Sequence, residues 1–237
     1  MHDTYENSLQ YINEQEATNI SYVKLGQGNR KLIISFAPSG HVSKDYFFRK
    51  RSLIELKYHR NDFDLLYLRN IKQWYLGGLT GIGENINHTI AFLKKECMIY
   101  DKVICHGNSA GGFASLLFGS LLKVNHIVAV DPQTDLEYCL CGWTKKHLER
   151  VIEEHPGTWS KYNKLSNIFN DNTSYNICYT GNKSIIDQID QGRVTKHSLI
   201  LHGDYHYDQI KHFPNLNKFE SSEDVIPLIE KSLDLYT

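Results

Sequence analysis

The sequence predicts an α/β fold: a mostly parallel central sheet with helices on both faces. Short apolar runs of strand length alternate with helical stretches along most of the chain. One of those strands leads through a Gly-flanked Ser directly into an apolar helix. The length, 237 residues with 41% hydrophobic side chains, is enough to bury one sizeable core, so a single domain over residues 1–237 is expected.

The elements follow in order. Ile20 to Leu25 and Lys31 to Phe36 read as strands joined by the turn Gly26-Gln27-Gly28-Asn29. Leu32-Ile33-Ile34-Ser35-Phe36 is a continuous run of the buried-strand kind. It ends in the sharp loop Ala37-Pro38-Ser39-Gly40-His41. Phe63 to Leu68 is another strand, and Glu84 to Lys95 is helical, with Ile86, Ile90, Ala91 and Leu93 near one face. Lys102 to Cys105 is a buried strand, Phe113 to Leu122 a buried helix, and His126 to Val130 a further strand. Tyr175 to Tyr179 and Ser198 to Leu201 are expected as the last two strands, and Val225 to Leu235 as a closing amphipathic helix. Residues 135–170 interrupt the alternation with a helix-rich pattern, read as a small helical cap over the site or as an ordinary crossover helix with a long loop.

Composition excludes several classes. A net charge of −1 gives no footprint for nucleic acid or for a membrane surface. No apolar run approaches the ~18–20 residues of a membrane span. Cys97, Cys105, Cys139, Cys141 and Cys178 are odd in number and show no disulfide spacing. Cys139-x-Cys141 lacks a second pair, so no metal site is expected. The residues Met1 to Asn7 carry no apolar signal core, and a reduced, cytoplasmic protein is the expectation. The sequence itself sets no oligomeric state.

The chemistry centres on His106-Gly107-Asn108-Ser109-Ala110-Gly111-Gly112, a G-x-S-x-G between strand and helix. That context describes a nucleophile elbow, in which a Ser at the tip of a tight turn needs small neighbours. The helix that follows aims free N–H groups at charge developing in acyl transfer. A Ser hydroxyl needs a base, and the base an acid to orient it. In the chain order Ser, acid, His, Asp187 is the first choice of acid, with Asp190, Asp204 and Asp131 as alternatives. His206, in the loop after Ser198–Leu201, is the first choice of base, ahead of His202 and His212. The oxyanion hole is expected from the Ala110 N–H and a second donor in the loop after Phe36, Ser39 first and Ala37 second, since Pro38 has no N–H. Trp74, Tyr75, Tyr138, Trp143 and Trp159 either line a groove on which a sugar stacks or are core aromatics.

These residues resemble the α/β-hydrolase superfamily over nearly the whole chain. A closer likeness is to bacterial α/β-hydrolase-fold proteins of capsule and surface-glycan biosynthesis, including capsular polysaccharide O-acetyltransferases. It is carried by Trp74-Tyr75-Leu76-Gly77-Gly78 before Gly81–Gly83, Gly107 to Gly112 with Leu116-Leu117-Phe118-Gly119, Asp131-Pro132-Gln133-Thr134, and the acid and His loops. The acid loop departs from the pattern: Asn182-Lys183 stands where Asp is frequent. The resemblance implies Ser109 as nucleophile, Asp187 as acid and His206 as base, moving an acetyl group onto or off a sugar hydroxyl. Acetyl-CoA would be a co-substrate, and no permanently bound cofactor is implied. An ester hydrolase using the same triad, and a non-catalytic module that binds a glycan or a partner, are the competing readings.

Overall fold

The computed structural model describes residues 22–26, 28–38, 62–69, 74–79, 81–130, 132–139, 142–180, 215–219 and 226–234. Strands β1 (Tyr22–Leu25), β2 (Lys31–Phe36), β3 (Asp64–Leu68), β4 (Lys102–Asn108), β5 (His126–Val130), β6 (Ser174–Thr180) and β7 (Asn215–Phe219) form one sheet in the order β1-β3-β2-β4-β5-β6-β7. All neighbours are parallel except β1 with β3. The helices are α1 (Ile86–Cys97), α2 (Ala110–Leu122), α3 (Gly142–Glu154), α4 (Pro156–Tyr162) and α5 (Ile226–Ser232). With its parallel sheet and crossover helices, the chain has the α/β-hydrolase fold.

β2, β3, β4 and β5 are buried over most of their lengths, which is why they read as apolar runs without alternation. Every residue from Ala110 to Ser120 of α2 is buried, so this helix is the centre of one layer. Phe36 of β2 stacks on Phe118 of α2 with ring centroids 5.6 Å apart and meets the edge of Tyr75 at 5.6 Å. Helix α1 starts at Asn85, whose side chain accepts from the N–H groups of Asn87 and His88.

At the amino end of β3, the buried Asp64 carboxylate accepts hydrogen bonds from Gly28 N (3.2 Å), Asn29 Nδ2 (2.7 Å) and Tyr100 Oη (2.7 Å). It ties the β1–β2 turn to the approach to β4. Burial and the adjacent carboxylate push the Tyr100 hydroxyl up to about 12.

β1 and β2, joined by the Gly26–Asn29 turn, are consecutive in the chain but not neighbours in the sheet, because β3 pairs with both. A further strand, Asn215–Phe219, follows in the chain and lies beside β6, so Ser198–Leu201, which is outside the described residues, is not followed by helix alone. Asn-Leu-Asn-Lys-Phe is half polar and offers no apolar run; a position at the end of the strand order asks for none.

The register sets the functional edge. Phe36 lies opposite Gly107, and Asn108 opposite Val130, so β2, β4 and β5 end at one level. The chain goes from β2 outward to β3, then returns to place β4 on the other side of β2. This reversal makes the carboxyl ends of β2 and β4 a topological switch point, where open α/β sheets bind ligands.

Between β5 and β6 the chain makes a mainly helical excursion, a 3-10 turn at Leu136–Cys139 followed by α3 and α4. The excursion is pinched at its base. Leu136 N donates to Asn163 O (2.8 Å), and Leu165 N donates to Thr134 O (2.9 Å). Lys164 Nζ lies 3.5 Å from Asp135 and 2.7 Å from Glu137, and Asn163 Nδ2 donates to Glu137 Oε1 at 3.0 Å. Among the described residues, no helix is long and apolar enough to cross a membrane.

Candidate active site

Ser109 stands between β4 and α2 with φ 55° and ψ −120°, a conformation that non-glycine residues rarely adopt. Such a residue costs on the order of 1–3 kcal/mol and persists where its surroundings over-determine it. Here they do. Ser109 N donates to Val130 O at 2.9 Å, and Ser109 O accepts from Phe113 N at 2.9 Å as the first bond of the helix.

The two glycines of the G-x-S-x-G are required by close approach. A Cβ on Gly107 would lie 2.1 Å from Gly111 O. A Cβ on Gly111 would lie 2.1 Å from Phe36 O. The turn is therefore packed against both its own helix and the end of β2. The N–H groups of Ala110, Gly111 and Gly112 precede that first intrahelical bond and carry the positive end of the α2 dipole. An anionic oxygen beside Ser109 would meet them.

The expectations for the oxyanion loop divide. The Ala37 N–H donates to Leu68 O at 2.8 Å, a bond that anchors β2 to β3, so Ala37 is not a free donor. This corrects its assignment as the second-choice hole residue. Ser39 lies outside the described residues.

Trp74 and Tyr75 are corrected as groove-lining residues. Both are buried, and the Tyr75 hydroxyl is 2.8 Å from Ala37 O and 3.1 Å from Leu68 O. Trp74 packs edge-on against Phe113 at 6.4 Å. Both have positive φ, 49° and 65°. Their task is to brace the ends of β2 and α2 from below. Trp159 in α4 is half-buried and packs on the core. Tyr138 lies in the 3-10 turn that opens the helical excursion, and Trp143 lies in α3. Their side chains fall outside the described residues, as do Asp187, Asp190, Asp204, Asp131, His202, His206 and His212.

Two side chains near Ser109 were not assigned roles from sequence. His106 is close in sequence, and its ring is tied to the neighbouring strand. Its Nδ1 lies 2.9 Å from Val128 O, which can only accept, so Nδ1 carries a proton. Burial pushes the imidazole down to about 4, against the raising effect of that bond. His106 is a neutral strand residue. Gln133, three residues past the end of β5, is the other. It is 2% exposed, and its Nε2 donates to Ser109 Oγ at 3.3 Å. The sequence signals were its position at the carboxyl edge next to the elbow strand and its place in Asp131-Pro132-Gln133-Thr134, one of the segments that carry the resemblance.

A half-buried Ser thus stands at a tight strand–helix turn of an α/β sheet, with helical N–H groups beside it. No protein-family model and no curated relative matches the sequence. Solved structures of similar fold are found. The Staphylococcus aureus fluorophosphonate-binding serine hydrolase F, substrate bound, is 8% identical over 91% of this chain and 98% of its own, with a TM-score of 0.57. The Pyrococcus horikoshii acylaminoacyl peptidase is 12% identical over 100% of this chain and 45% of its own, at a TM-score of 0.51. A mutant of the capsule O-acetyltransferase of Neisseria meningitidis serogroup A, in complex with CoA, is 12% identical over 88% of this chain and 90% of its own, at 0.49. At these identities the likeness is one of fold.

Proposed function

We propose that this protein is a serine-dependent acyl-transfer enzyme acting on a glycan, an O-acetyltransferase of a capsular or surface polysaccharide. The single observation that supports acyl transfer is the Ser109 turn: a positive-φ Ser wedged between β2, β4 and α2, with the first-turn N–H groups of α2 at its side. The glycan and the acetyl group rest on the sequence resemblance. Acetyl-CoA is the proposed donor, and the 135–170 excursion is proposed as a cap over the site.

In this reading His206 takes the proton of Ser109 Oγ as the oxygen attacks the acetyl carbonyl. The oxyanion is met by the Ala110 N–H and a donor in the loop after Phe36, with Ser39 proposed. Asp187 holds the His206 tautomer and stabilises the imidazolium. Collapse expels the thiol, which leaves with the proton from His206, and an acetyl-Ser109 ester remains. A sugar hydroxyl then gives its proton to His206 and attacks the ester, and Ser109 recovers its proton. Asp187 follows β6, whose carboxyl end lies at the same sheet edge as Ser109. An ester hydrolase, with water as the second nucleophile, is the second reading; the similarity in fold to a serine hydrolase favours it.

The test has two parts. A fluorophosphonate probe should label the wild type and not Ser109→Ala, since only an activated Ser reacts. Incubation with acetyl-CoA and capsule oligosaccharides should add about 42 Da, one acetyl, per modified hydroxyl. A probe that labels neither protein rejects the enzyme reading. Labelling with cleavage of acetylated sugars, and no transfer to any oligosaccharide, selects the hydrolase.

A further inference from the structure

We infer that Gln133 receives the acyl acceptor, and that the acceptor it selects is a vicinal diol of the kind carbohydrates present. The inference rests on Ser109 as the acyl-carrying residue. Gln133 is 2% exposed, yet its side-chain oxygen Oε1 has no hydrogen-bond partner among the described residues. Buried amide oxygens are rarely left unpaired, so such an atom beside a nucleophile calls for an explanation. Its sister atom Nε2 is 3.3 Å from Ser109 Oγ. Amide N and O sit about 2.3 Å apart on one carbon. The unpaired oxygen therefore lies no more than about 5.6 Å from Ser109 Oγ.

The orientation of the amide follows from the chemistry. In the proposed reaction Ser109 gives its proton to the base, so its remaining lone pairs accept, and the amide N–H is the group that faces them. Oε1 is then an acceptor that no described residue satisfies. The backbone keeps it there. Pro132 packs against Gly112, where an added Cβ would come 3.0 Å from the proline ring. The pinch that closes the helical excursion begins one residue later, at Thr134. Gln133 is thus held from both sides.

The sheet order says which part of the reaction it serves. β4 has β2 on one side and β5 on the other. In the proposed reading the loop after β2 is the oxyanion side. Gln133 follows β5, so it approaches Oγ from the opposite side, where the leaving group departs and the second nucleophile arrives. A thioester or ester donor offers no O–H there. A sugar does: one hydroxyl attacks the acyl carbon while its neighbour donates to Oε1. Water and a simple alcohol lack that second hydroxyl.

The experiment measures partition of the acetyl-enzyme, formed from p-nitrophenyl acetate, between water and added alcohol. 1,2-Propanediol is compared with 1-propanol in the wild type, Gln133→Leu and Gln133→Met. The ratio of transfer to hydrolysis is independent of how fast the acetyl-enzyme forms, so a slower nucleophile in the variants does not disturb it. The wild type should favour the diol about tenfold or more, the size of one hydrogen bond to a fixed acceptor. Both variants should lose that preference. Equal use of the two alcohols by the wild type, or a preference that survives in either variant, overturns the inference while acyl transfer stands. Transfer to neither alcohol, with hydrolysis intact, also overturns it. If the wild type is not labelled by a fluorophosphonate and forms no acetyl-enzyme, the acyl-transfer reading fails and the inference falls with it.

Discussion

Replacing Gly111 by Ala tests whether the nucleophile turn is as tightly built as its geometry indicates. A helix position would normally welcome the change, since Ala is favoured over Gly by up to about 1 kcal/mol. At Gly111 the new Cβ would sit 2.1 Å from Phe36 O and 2.8 Å from Ala37 O. The first distance is far inside the 3.4 Å at which ordinary contact begins. Both oxygens are backbone, so no side chain can swing away. Relief requires moving α2 or the end of β2, and overpacking of this kind costs about 2–3 kcal/mol. In a chain of this size that lowers Tm by about 5–10 °C. Gly157→Ala in α4 is the matched control, because nothing lies within 4 Å of its added Cβ. It should raise stability by about 0.4–1 kcal/mol. The assay is thermal or urea unfolding, paired with the fluorophosphonate labelling rate. Gly111→Ala should also slow labelling by more than about tenfold, since the displaced strand end leads into the proposed oxyanion loop. A Gly111→Ala protein as stable as the Gly157→Ala protein, and labelled at the wild-type rate, would refute the close packing of the elbow.

Further expectations concern the site and the frame. His206→Ala should abolish labelling, while His202→Ala and His212→Ala retain most of it; a dead His202→Ala beside an active His206→Ala moves the base. Asp187→Asn should slow turnover strongly with little change in Tm, and Asp190→Asn should not; the reverse result transfers the acid role to Asp190. His106 has a folded pKa of about 4 against 6.5 for the free side chain. Its stabilising contribution is complete above about 6.5 and is lost as pH falls toward 4, about 2 kcal/mol by pH 5. His106→Asn keeps an N–H for Val128 and removes the titration, so its urea midpoint should fall less between about pH 7 and pH 5 than the wild type's; equal falls reject the assignment. Asp64→Ala leaves three donors without their acceptor and should cost about 2–4 kcal/mol, seen as a lowered urea midpoint at unchanged m-value; a midpoint within error of the wild type's would show that the carboxylate is not the clamp.

The sequence by itself determined the α/β class and the turn that carries Ser109, because both are local. A strand buried on both faces must be apolar nearly throughout, and Leu32 to Phe36 is. A turn with a non-glycine residue at positive φ needs small neighbours on each side, and Gly107 and Gly111 supply them. What lay beyond local pattern was decided only in three dimensions. Trp74 and Tyr75 are hydrophobic rings with polar tips, compatible with a groove or a core, and only the packing against Phe113 and Phe36 settled them inward. Ala37 has an N–H like any other, and its use by Leu68 is a contact between segments far apart in the chain. The strand Asn215–Phe219 has too few apolar residues to announce itself, because a strand at the end of the order is selected by backbone pairing rather than by burial. Gln133 stands in a segment that carries the resemblance, but an amide is common anywhere and no role could be read for it. Its meaning comes from the parallel register that brings the ends of β4 and β5 to one level and sets its side chain against Ser109.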